Sequence, residues 1–492
     1  MDDQVKRGGN VAAIATMFAL FFMIAFVTNF ATPMGVIAKN QFQTSNFLAQ
    51  LGNAANFFAY LFMGIPGGLI LKRRGYKFTA LTAVAVGFAG VGVQLVAGYA
   101  SSFLIYVLGA FIAGFSMCML NLVVNPLLNT LGGEGNRGNQ LVQFGCSLNS
   151  IGATLSPMVL GWLIGEITKD TNFIKAAPAL MIAMGIFAVA FLIVALSRIP
   201  EPHMETAEEK ADRLAGKTSV LADIKATLAY RHFTFGALAI FFYIIIEVGV
   251  PAMGMNYMTD AKTLAKEDVS VELVKAENAK ADAAEKAAIA AAEAAGRKYV
   301  KPVGKPGDKF TEYVVVEKDG KEVGQKLEKQ YCESYVGGTI AGIVCGVYWL
   351  LMMCGRLLGG VVGGKVSSRA QVTFLALVGI ALLAAVMFVP LQMVTVFGKQ
   401  FPLSMAFMVA VGLCTSVMWG GIFNMAAEGL GKYVPMGSGI FMACVFGGFF
   451  IPVQGFIADK AGILNAYWLS IALLAYVLFY ALVLSKPSKK AA

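Results

Sequence analysis

Long apolar stretches alternate with short polar or charged segments along the whole chain. A helix needs about 20 mostly apolar residues to cross a bilayer, and stretches of that length recur throughout. Twelve spans are predicted, with approximate limits 11–38, 47–71, 77–99, 102–130, 139–165, 177–198, 233–257, 336–363, 371–394, 402–426, 435–457 and 464–485. The pattern therefore predicts an all-α membrane protein, whose spans tolerate internal Gly and Pro better than soluble helices do.

Two longer polar segments interrupt this alternation. Residues 199–232 have mixed charge and separate spans one to six from spans seven to twelve, so we interpret them as a cytoplasmic linker. Residues 258–335 separate span seven from span eight. The predicted organisation is an N-terminal six-helix bundle (1–198), the linker (199–232) and a C-terminal six-helix bundle (233–492) that contains an extracytoplasmic insert (258–335).

The insert carries two local signals. Its Ala/Glu/Lys-rich run Ala276–Arg297 favours a helix. The pair Asp319-Gly320, flanked by Val-rich segments, favours a hairpin turn. We predict a small helix-plus-hairpin unit; a solvated and partly disordered loop is the alternative.

A weak internal repeat supports two pseudo-symmetric halves. Asn125–Gly132 and Gly152–Pro157 in the first half correspond to Asn424–Gly431 and Gly447–Pro452 in the second. Both halves show Asn, six residues and Gly, and later Gly, four residues and Pro. Repeated halves around a site at the membrane midplane are a transporter architecture.

Basic residues collect on one side of the predicted spans, whereas loops on the other side, such as 98–102, carry little positive charge. Cytoplasmic loops carry the excess of Lys and Arg, so an even number of spans places both termini in the cytoplasm. The basic residues are Lys6, Arg7, Lys72, Arg73, Arg74, Lys77, Arg137, Lys365, Arg369, Lys486, Lys489 and Lys490.

Composition narrows the function class. The chain is 58% hydrophobic and 14% charged, whereas soluble domains carry about 25% charged residues. Cytoplasmic loops account for the net charge of +10 without nucleic acid. The seven cysteines, six of them in apolar runs, fit neither a disulfide framework nor a zinc site. We predict no enzyme activity, cofactor, metal or nucleic-acid partner, and expect a monomer in a bacterial inner membrane.

Matching glycine-rich and basic loops follow span two and end span eight. They are Gly64–Lys77 and Gly355–Lys365. Glycines let helix ends approach closely, and the cations anchor the cytoplasmic surface. Arg356 could equally snorkel towards that surface. The residues assigned structural or gating roles are Gly68, Arg73, Arg74, Gly355 and Arg356.

These loops and the twelve spans resemble the major facilitator superfamily and, within it, the fucose:proton symporter family. The matching residues are Asn125-Pro126, Leu131-Gly132, Gln143, Asn149–Ala153, Gly355-Arg356 and Ile451–Asp459. The resemblance covers nearly the whole chain except 258–335. It implies alternating access, with a sugar held between two six-helix bundles.

The resemblance carries over unevenly to single residues. Asn149 matches the family's sugar-contacting asparagine in span five. Where the family has an acid four residues before the Asn-Pro pair, this chain has Asn121; where it has an acid in span one, this chain has Thr32. The family's usual proton-coupling acids are therefore both replaced.

Glu247 is the carboxylate that remains deep within an apolar span. A charge at mid-bilayer costs about 2.5–3.5 kcal/mol on insertion scales, so it needs a function or a partner. Burial favours the neutral carboxyl, which allows proton binding near neutral pH. Three interpretations stay open: a proton or substrate site, a sugar-hydroxyl acceptor without proton coupling, and a structural ion pair with Arg356.

Other polar and aromatic residues of the spans suit a sugar. Amides both donate and accept hydrogen bonds, and aromatic faces suit the apolar side of a sugar ring, although amides also stitch helices together. The predicted substrate-binding residues are Asn29, Asn121, Asn125, Gln143, Asn149, Tyr243, Glu247, Trp419 and Asn424. Glu247 is also the predicted proton-coupling residue.

The leading functional hypothesis is a secondary transporter that imports a neutral sugar or sugar derivative by alternating access, driven by a cation, with a proton favoured. A sugar phosphate should demand several intramembrane cations, and the spans offer Arg356. An uncoupled facilitator or exporter of a small solute is one alternative. A sensor with a transporter fold, which reads its signal through the insert, is another.

Overall fold

The computed structural model describes residues 2–28, 37, 51–100, 102–133, 136–164, 173–215, 219–297, 304–318 and 321–487. The first half contains α1 (Asp2–Thr28), α2 (Leu51–Ala100), α3 (Phe103–Leu131), α4 (Arg137–Ile164) and α5 (Phe173–Leu196). Short helices α6 (Ala207–Leu214) and α7 (Val220–Leu228) lie in the predicted linker. The second half begins with α8 (Arg231–Thr259) and continues, after the insert, with α10 (Gly338–Gly363), α11 (Ser368–Phe388), α12 (Leu403–Thr415), α13 (Met418–Ala427), α14 (Val434–Ala443), α15 (Ile451–Ala461) and α16 (Tyr467–Phe479).

Ten helical segments among the described residues are long and apolar enough to cross a membrane. One of them lies in α2, whose 50 residues would extend about 75 Å if straight. The chain breaks inside α2 at Gly75, whose φ of 82° and ψ of 178° only glycine adopts readily. The Glu201 carboxylate accepts hydrogen bonds from the backbone N–H groups of Tyr76 and Lys77, which caps the helix that follows the break.

Several predicted span limits differ from the structure. The predicted span 371–394 is wrong at its end, because α11 stops at Phe388 and Met393–Val396 pairs with Lys399–Pro402 as the hairpin β4–β5. The hairpin strand is apolar enough to extend the hydropathy signal past the helix. The last spans are also interrupted: α12 and α13 are separate helices, and a 3-10 segment, Cys444–Phe450, joins α14 to α15.

The segment between α8 and α10 is a folded unit. It contains β1 (Ala261–Val269), α9 (Val271–Ala294), β2 (Lys309–Lys318) and β3 (Lys321–Tyr331), with antiparallel strands in the order β1-β3-β2. The predicted helix and hairpin are confirmed, whereas Asp319-Gly320 lies outside the described residues. Strand β1 went unpredicted because its sequence, AKTLAKEDV, is mostly polar.

The two halves each have their own apolar core. One core is built from residues between 17 and 199, and the other mainly from residues between 233 and 484. Cys118 and Leu122 of α3 are buried in the second core, and Trp419 packs against both. Helices α3 and α13 therefore contribute to the interface between the halves.

The halves approach closely at the end of the molecule that carries the basic loops, which we call the basic end. A Cβ atom on Gly68 of α2 would lie 2.6 Å from the backbone oxygen of Pro435 in α14. A Cβ atom on Gly360 of α10 would lie 2.8 Å from the ring of Phe144 in α4. Glycine at these positions thus permits helix contacts that any side chain would obstruct.

The same face of α10 is uncovered towards the opposite end. Gly342, Trp349 and Arg356 recur at intervals of seven residues, about two helical turns, and so lie on one face. Among the described residues, no atom lies within 4 Å of a Cβ built on Gly342, and Trp349 is 37% exposed. Among the described residues, α4 and α10 are therefore in contact at the basic end, and this face of α10 is uncovered beyond it.

Charged residues of the linker cover the basic end. Lys72 pairs with Asp223 of α7 at 2.7 Å, and α7 packs against α8 and α14. A hydrogen bond from Arg213 holds the pKa of the Glu205 carboxyl below its usual range. These groups line a cavity of about 270 Å³ together with Arg73, while the Arg74 guanidinium lies 5.4 Å from the Phe78 ring centre.

Candidate functional site

A buried ion pair lies in the second half. Nη2 of Arg356 on α10 donates to Oε1 of Glu247 on α8 at 2.9 Å, and the two side chains are 10% and 13% exposed. The Tyr243 side chain, one helical turn before Glu247, lies beside the pair. Burial of either charge alone would be strongly unfavourable. Each charged group therefore offsets the free-energy cost of burying the other.

Arg356 also reaches the first half of the chain. Its Nη1 donates to Oγ of Ser150 at 2.6 Å and approaches the Cys146 backbone oxygen at 3.4 Å, both on α4. Ser150 is 7% exposed. Sequence reasoning placed Ser150 in a family motif without assigning it a role, because a lone serine in a span has no distinctive signal.

A second polar connection crosses the interface through amides. Nε1 of Trp419 on α13 donates to Oδ1 of Asn125 on α3 at 3.1 Å. The Asn125 amide donates in turn to the backbone oxygen of Asn121 at 3.0 Å, and Asn121 donates to the Tyr60 hydroxyl at 3.1 Å. Four side chains from α2, α3 and α13 thus form one hydrogen-bonded chain.

Aromatic rings connect these two groups. The rings of Tyr243 and Trp419 have centroids 6.5 Å apart, and Phe441 meets Trp419 edge-on at 5.9 Å. The Tyr348 hydroxyl donates to the backbone oxygen of Glu247 at 3.1 Å, which braces this turn of α8. The Glu247–Arg356 pair and the Asn125–Trp419 contact are therefore neighbours.

Three buried polar atoms close to these contacts have no hydrogen-bond partner among the described residues. They are Oε1 of Gln143, Nε of Arg356 and the hydroxyl oxygen of Tyr243. The Gln143 amide nitrogen donates across the interface to the backbone oxygen of Val417 at 2.9 Å. An unpartnered buried acceptor and donor are unfavourable unless a bound molecule or water satisfies them.

Two predicted site residues, Asn149 and Asn424, lie apart from this arrangement. The Asn149 amide donates to the Phe21 backbone oxygen at 3.2 Å and so ties α4 to α1. The Asn424 amide donates to Ser368 Oγ at 2.9 Å, within the second half. Asn29 lies outside the described residues. Gly355, one of the predicted gating residues, lies against Ser416.

The arrangement has definite chemical capacities. Its charges cancel, since one carboxylate faces one guanidinium. Its amides can both donate and accept, its aromatic rings offer flat apolar faces, and Glu247 supplies a carboxyl that can gain and lose a proton. Such a site suits an uncharged molecule with many hydroxyl groups.

Comparisons with known proteins point to one family. The profile of the Major Facilitator Superfamily matches residues 15–265, just over half of the chain. A glucose/galactose transporter of Brucella abortus is 25% identical over 478 residues, covering 96% of this chain and 94% of that protein. The L-fucose-proton symporter of Escherichia coli is 22% identical over 475 residues, covering 92% and 88%. The crystal structure of the E. coli fucose:proton symporter shares the fold, with a TM-score of 0.70 at 18% identity over 96% of this chain and 98% of that one.

Proposed function

Since the chain belongs to the Major Facilitator Superfamily of membrane transporters, we propose that it imports a neutral sugar or sugar derivative by alternating access, coupled to a cation and specifically to a proton. Its relatives by sequence include glucose/galactose transporters and a fucose symporter. Their substrates support a sugar as cargo without naming which one. The remaining argument comes from the chain's own residues.

The observation that carries the proposal is the polar site between the two halves, whose net charge is zero. Arg356 and Glu247 cancel each other's charge, and the nearby contact between Asn125 and Trp419 joins the halves through neutral groups. A phosphorylated or strongly anionic cargo would meet no surplus cation in this network. Hydroxyl groups, in contrast, would satisfy the unpartnered Gln143 and Arg356 atoms.

The fold supports the proposed membrane arrangement. Dividing α2 at Gly75 and counting α4 turns the ten apolar segments into twelve crossings. The excess of basic residues supports a cytoplasmic location for the basic end and, with it, for both termini. We assign the protein to a bacterial inner membrane as a monomer, with bundles 1–198 and 233–492, the linker 199–232, and the insert 258–335 on the outer side.

The proposed roles divide among the site residues. Glu247 carries the coupled proton and contacts cargo. The other proposed cargo-binding residues are Asn29, Asn121, Asn125, Gln143, Asn149, Tyr243, Trp419 and Asn424. The proposed gating residues are Gly68, Arg73, Arg74, Gly355 and Arg356. The hydrogen bonds and ring contacts around Glu247 and Trp419 give the most direct support to the cargo-binding roles of the residues that take part in them. These residues are Asn121, Asn125, Tyr243, Glu247 and Trp419.

Uptake by the purified protein in proteoliposomes tests the proposal. We expect accumulation of at least one radiolabelled neutral hexose or hexose derivative when the outside is more acidic than the lumen. A sodium gradient at equal pH should not replace the pH gradient. No uptake of any sugar in a broad panel, or uptake restricted to charged solutes, would refute the assignment.

The uncoupled alternative has its own support, because Asn121 and Thr32 occupy the positions of the family's usual acids and Glu247 is already paired with Arg356. A protonophore separates the two hypotheses. Uptake that only equilibrates the sugar, at the same rate with and without the protonophore, would favour the facilitator or exporter. Accumulation above equilibrium that persists after the pH gradient collapses would also remove proton coupling.

Replacement of Gly68 by Val should hold the two halves apart at the basic end. The added side chain would meet the Pro435 backbone oxygen, and such overpacking costs about 1–3 kcal/mol. We expect uptake to fall by about tenfold while the protein elutes as a single peak in detergent. Gly185→Val is the matched control, because a Cβ atom there meets no atom of the described residues within 4 Å. Equal uptake by both variants would contradict a close-contact role for Gly68.

Removal of the insert distinguishes a transporter from a sensor. The two ends of the insert lie close together, since the backbone N–H of Val336 donates to the Met258 oxygen at 3.0 Å. Residues 261–331 can therefore be replaced by a short Gly/Ser linker without separating α8 from α10. We expect sugar uptake to stay within about twofold of the intact chain, because the site network includes no insert residue among those described. Complete loss of uptake by a folded deletion variant would favour a reader role for the insert.

A further inference from the structure

Arg356 links the proposed coupling carboxylate to the opposite half of the transporter. Within its own half it donates to Glu247, and across the interface it donates to Ser150 and approaches the Cys146 oxygen. Arg356 as a whole residue is 8% exposed. The guanidinium charge is thus compensated by one carboxylate, while the first half supplies neutral acceptors.

Among the residues that the structure describes, the charged and titratable groups around Glu247 come from three helices. They are Tyr243 on α8, Tyr348 and Arg356 on α10, and Cys146 on α4. Arg356 is the cation among them. Protonation of Glu247 in the closed basic end would therefore leave a buried guanidinium with neutral partners, which is unfavourable.

Opening of the basic end changes that balance. The close contact between α4 and α10, marked by Gly360 against Phe144, must separate if cargo is to leave on that side. Ser150 and Cys146 belong to α4 and would move away from Arg356, and water would replace them around the guanidinium. Protonation of Glu247 therefore costs less free energy in the open state than in the closed state.

We propose that Ser150 is a positioning residue for proton coupling: its hydroxyl, together with the Cys146 carbonyl, holds Arg356 against Glu247 while the basic end is closed. Closure thereby favours ionised Glu247, and proton uptake by Glu247 favours opening towards the cytoplasm. The inference rests on the proposed coupling role of Glu247. It adds Ser150 as the residue of the first half that links protonation of Glu247 to opening of the basic end.

Substitutions at Ser150 test this link. Ser150→Ala should lower accumulation driven by an imposed pH gradient by about tenfold, the effect expected for a lost hydrogen bond to a charged group. Counterflow exchange of the same sugar at equal pH should stay within about twofold, since exchange needs cargo binding and rocking but no net proton movement. Ser150→Thr keeps the hydroxyl and should accumulate sugar normally.

Ser147→Ala is the matched control. Ser147 lies on the same helix, is also buried and, like Ser150, donates to the backbone oxygen four residues earlier. Of the two hydroxyls, that of Ser150 also accepts a hydrogen bond from Arg356. Equal accumulation by Ser147→Ala and Ser150→Ala would overturn the role of Ser150, as would a parallel loss of accumulation and exchange in a folded Ser150→Ala protein. Glu247→Gln separates the two proposals: if it still accumulates sugar, the coupling role of Glu247 fails; if it does not, while Ser150→Ala does, the role of Ser150 alone fails.

Discussion

Glu247→Gln is expected to abolish accumulation of sugar against a concentration gradient and to preserve counterflow exchange. The amide has nearly the shape of the carboxylate and keeps an oxygen to accept the hydrogen bond from Arg356 Nη2. It cannot bind and release a proton in the physiological range, so cargo movement loses its link to the pH gradient. Initial accumulation under an inward proton gradient should fall by at least about tenfold, to the level of equilibration.

The control for this prediction is Glu428→Gln. Glu428 is exposed at the end of α13, so the same loss of a carboxylate there should leave accumulation unchanged. Uphill accumulation by Glu247→Gln at the wild-type level would eliminate Glu247 as the coupling site. A loss of exchange together with accumulation would instead indicate that Glu247 acts mainly in cargo binding.

Arg356→Ala is expected to produce the largest loss of stability among the site variants. It leaves Glu247 buried without its cation and removes the hydrogen bonds to Ser150 and Cys146. Removal of one partner of a buried pair costs about 3–5 kcal/mol. Thermal unfolding in detergent, followed by tryptophan fluorescence, should show a clearly lower midpoint than the wild-type protein.

Two further measurements identify the ion pair as the cause. The double variant Glu247→Gln/Arg356→Gln removes both charges and should recover much of the midpoint lost by Arg356→Ala, although it should not accumulate sugar. The loss in Arg356→Ala should also be smaller at acidic pH, because the unpaired carboxyl becomes neutral by taking a proton. A double variant as unstable as Arg356→Ala at every pH would show that packing, rather than charge compensation, is the main role of Arg356.

Part of the site could be predicted from local signals. A carboxylate and a guanidinium inside otherwise apolar spans stand out by their cost in the membrane, and the pair between Glu247 and Arg356 was one of three open interpretations. The pair is present at 2.9 Å. Asn125 and Trp419 also stood out as polar and aromatic residues of spans, and they meet across the interface.

For other residues, local sequence signals do not predict which partner the side chain contacts. Asn424 and Asn125 occupy equivalent repeat positions, yet Asn424 bonds to Ser368 inside one half whereas Asn125 bonds to Trp419 across the interface. Ser150 has no sequence feature that distinguishes it from Ser147, and only Ser150 lies within reach of Arg356. The direction in which each side chain points depends on how its helix is rotated against its neighbours.

Features that the sequence predicts differ from those that only the tertiary structure determines, and the difference has a physical reason. Hydropathy is summed over about 20 neighbouring residues, so membrane spans, the polar insert and the two-half organisation can be predicted from the order of residues. The site, in contrast, joins residues 109, 274 and 294 positions apart, in the contacts Glu247–Arg356, Gln143–Val417 and Asn125–Trp419. Helix packing between the halves brings these residues together, and the fit of glycines such as Gly68 and Gly360 against the facing helix determines how closely the halves approach.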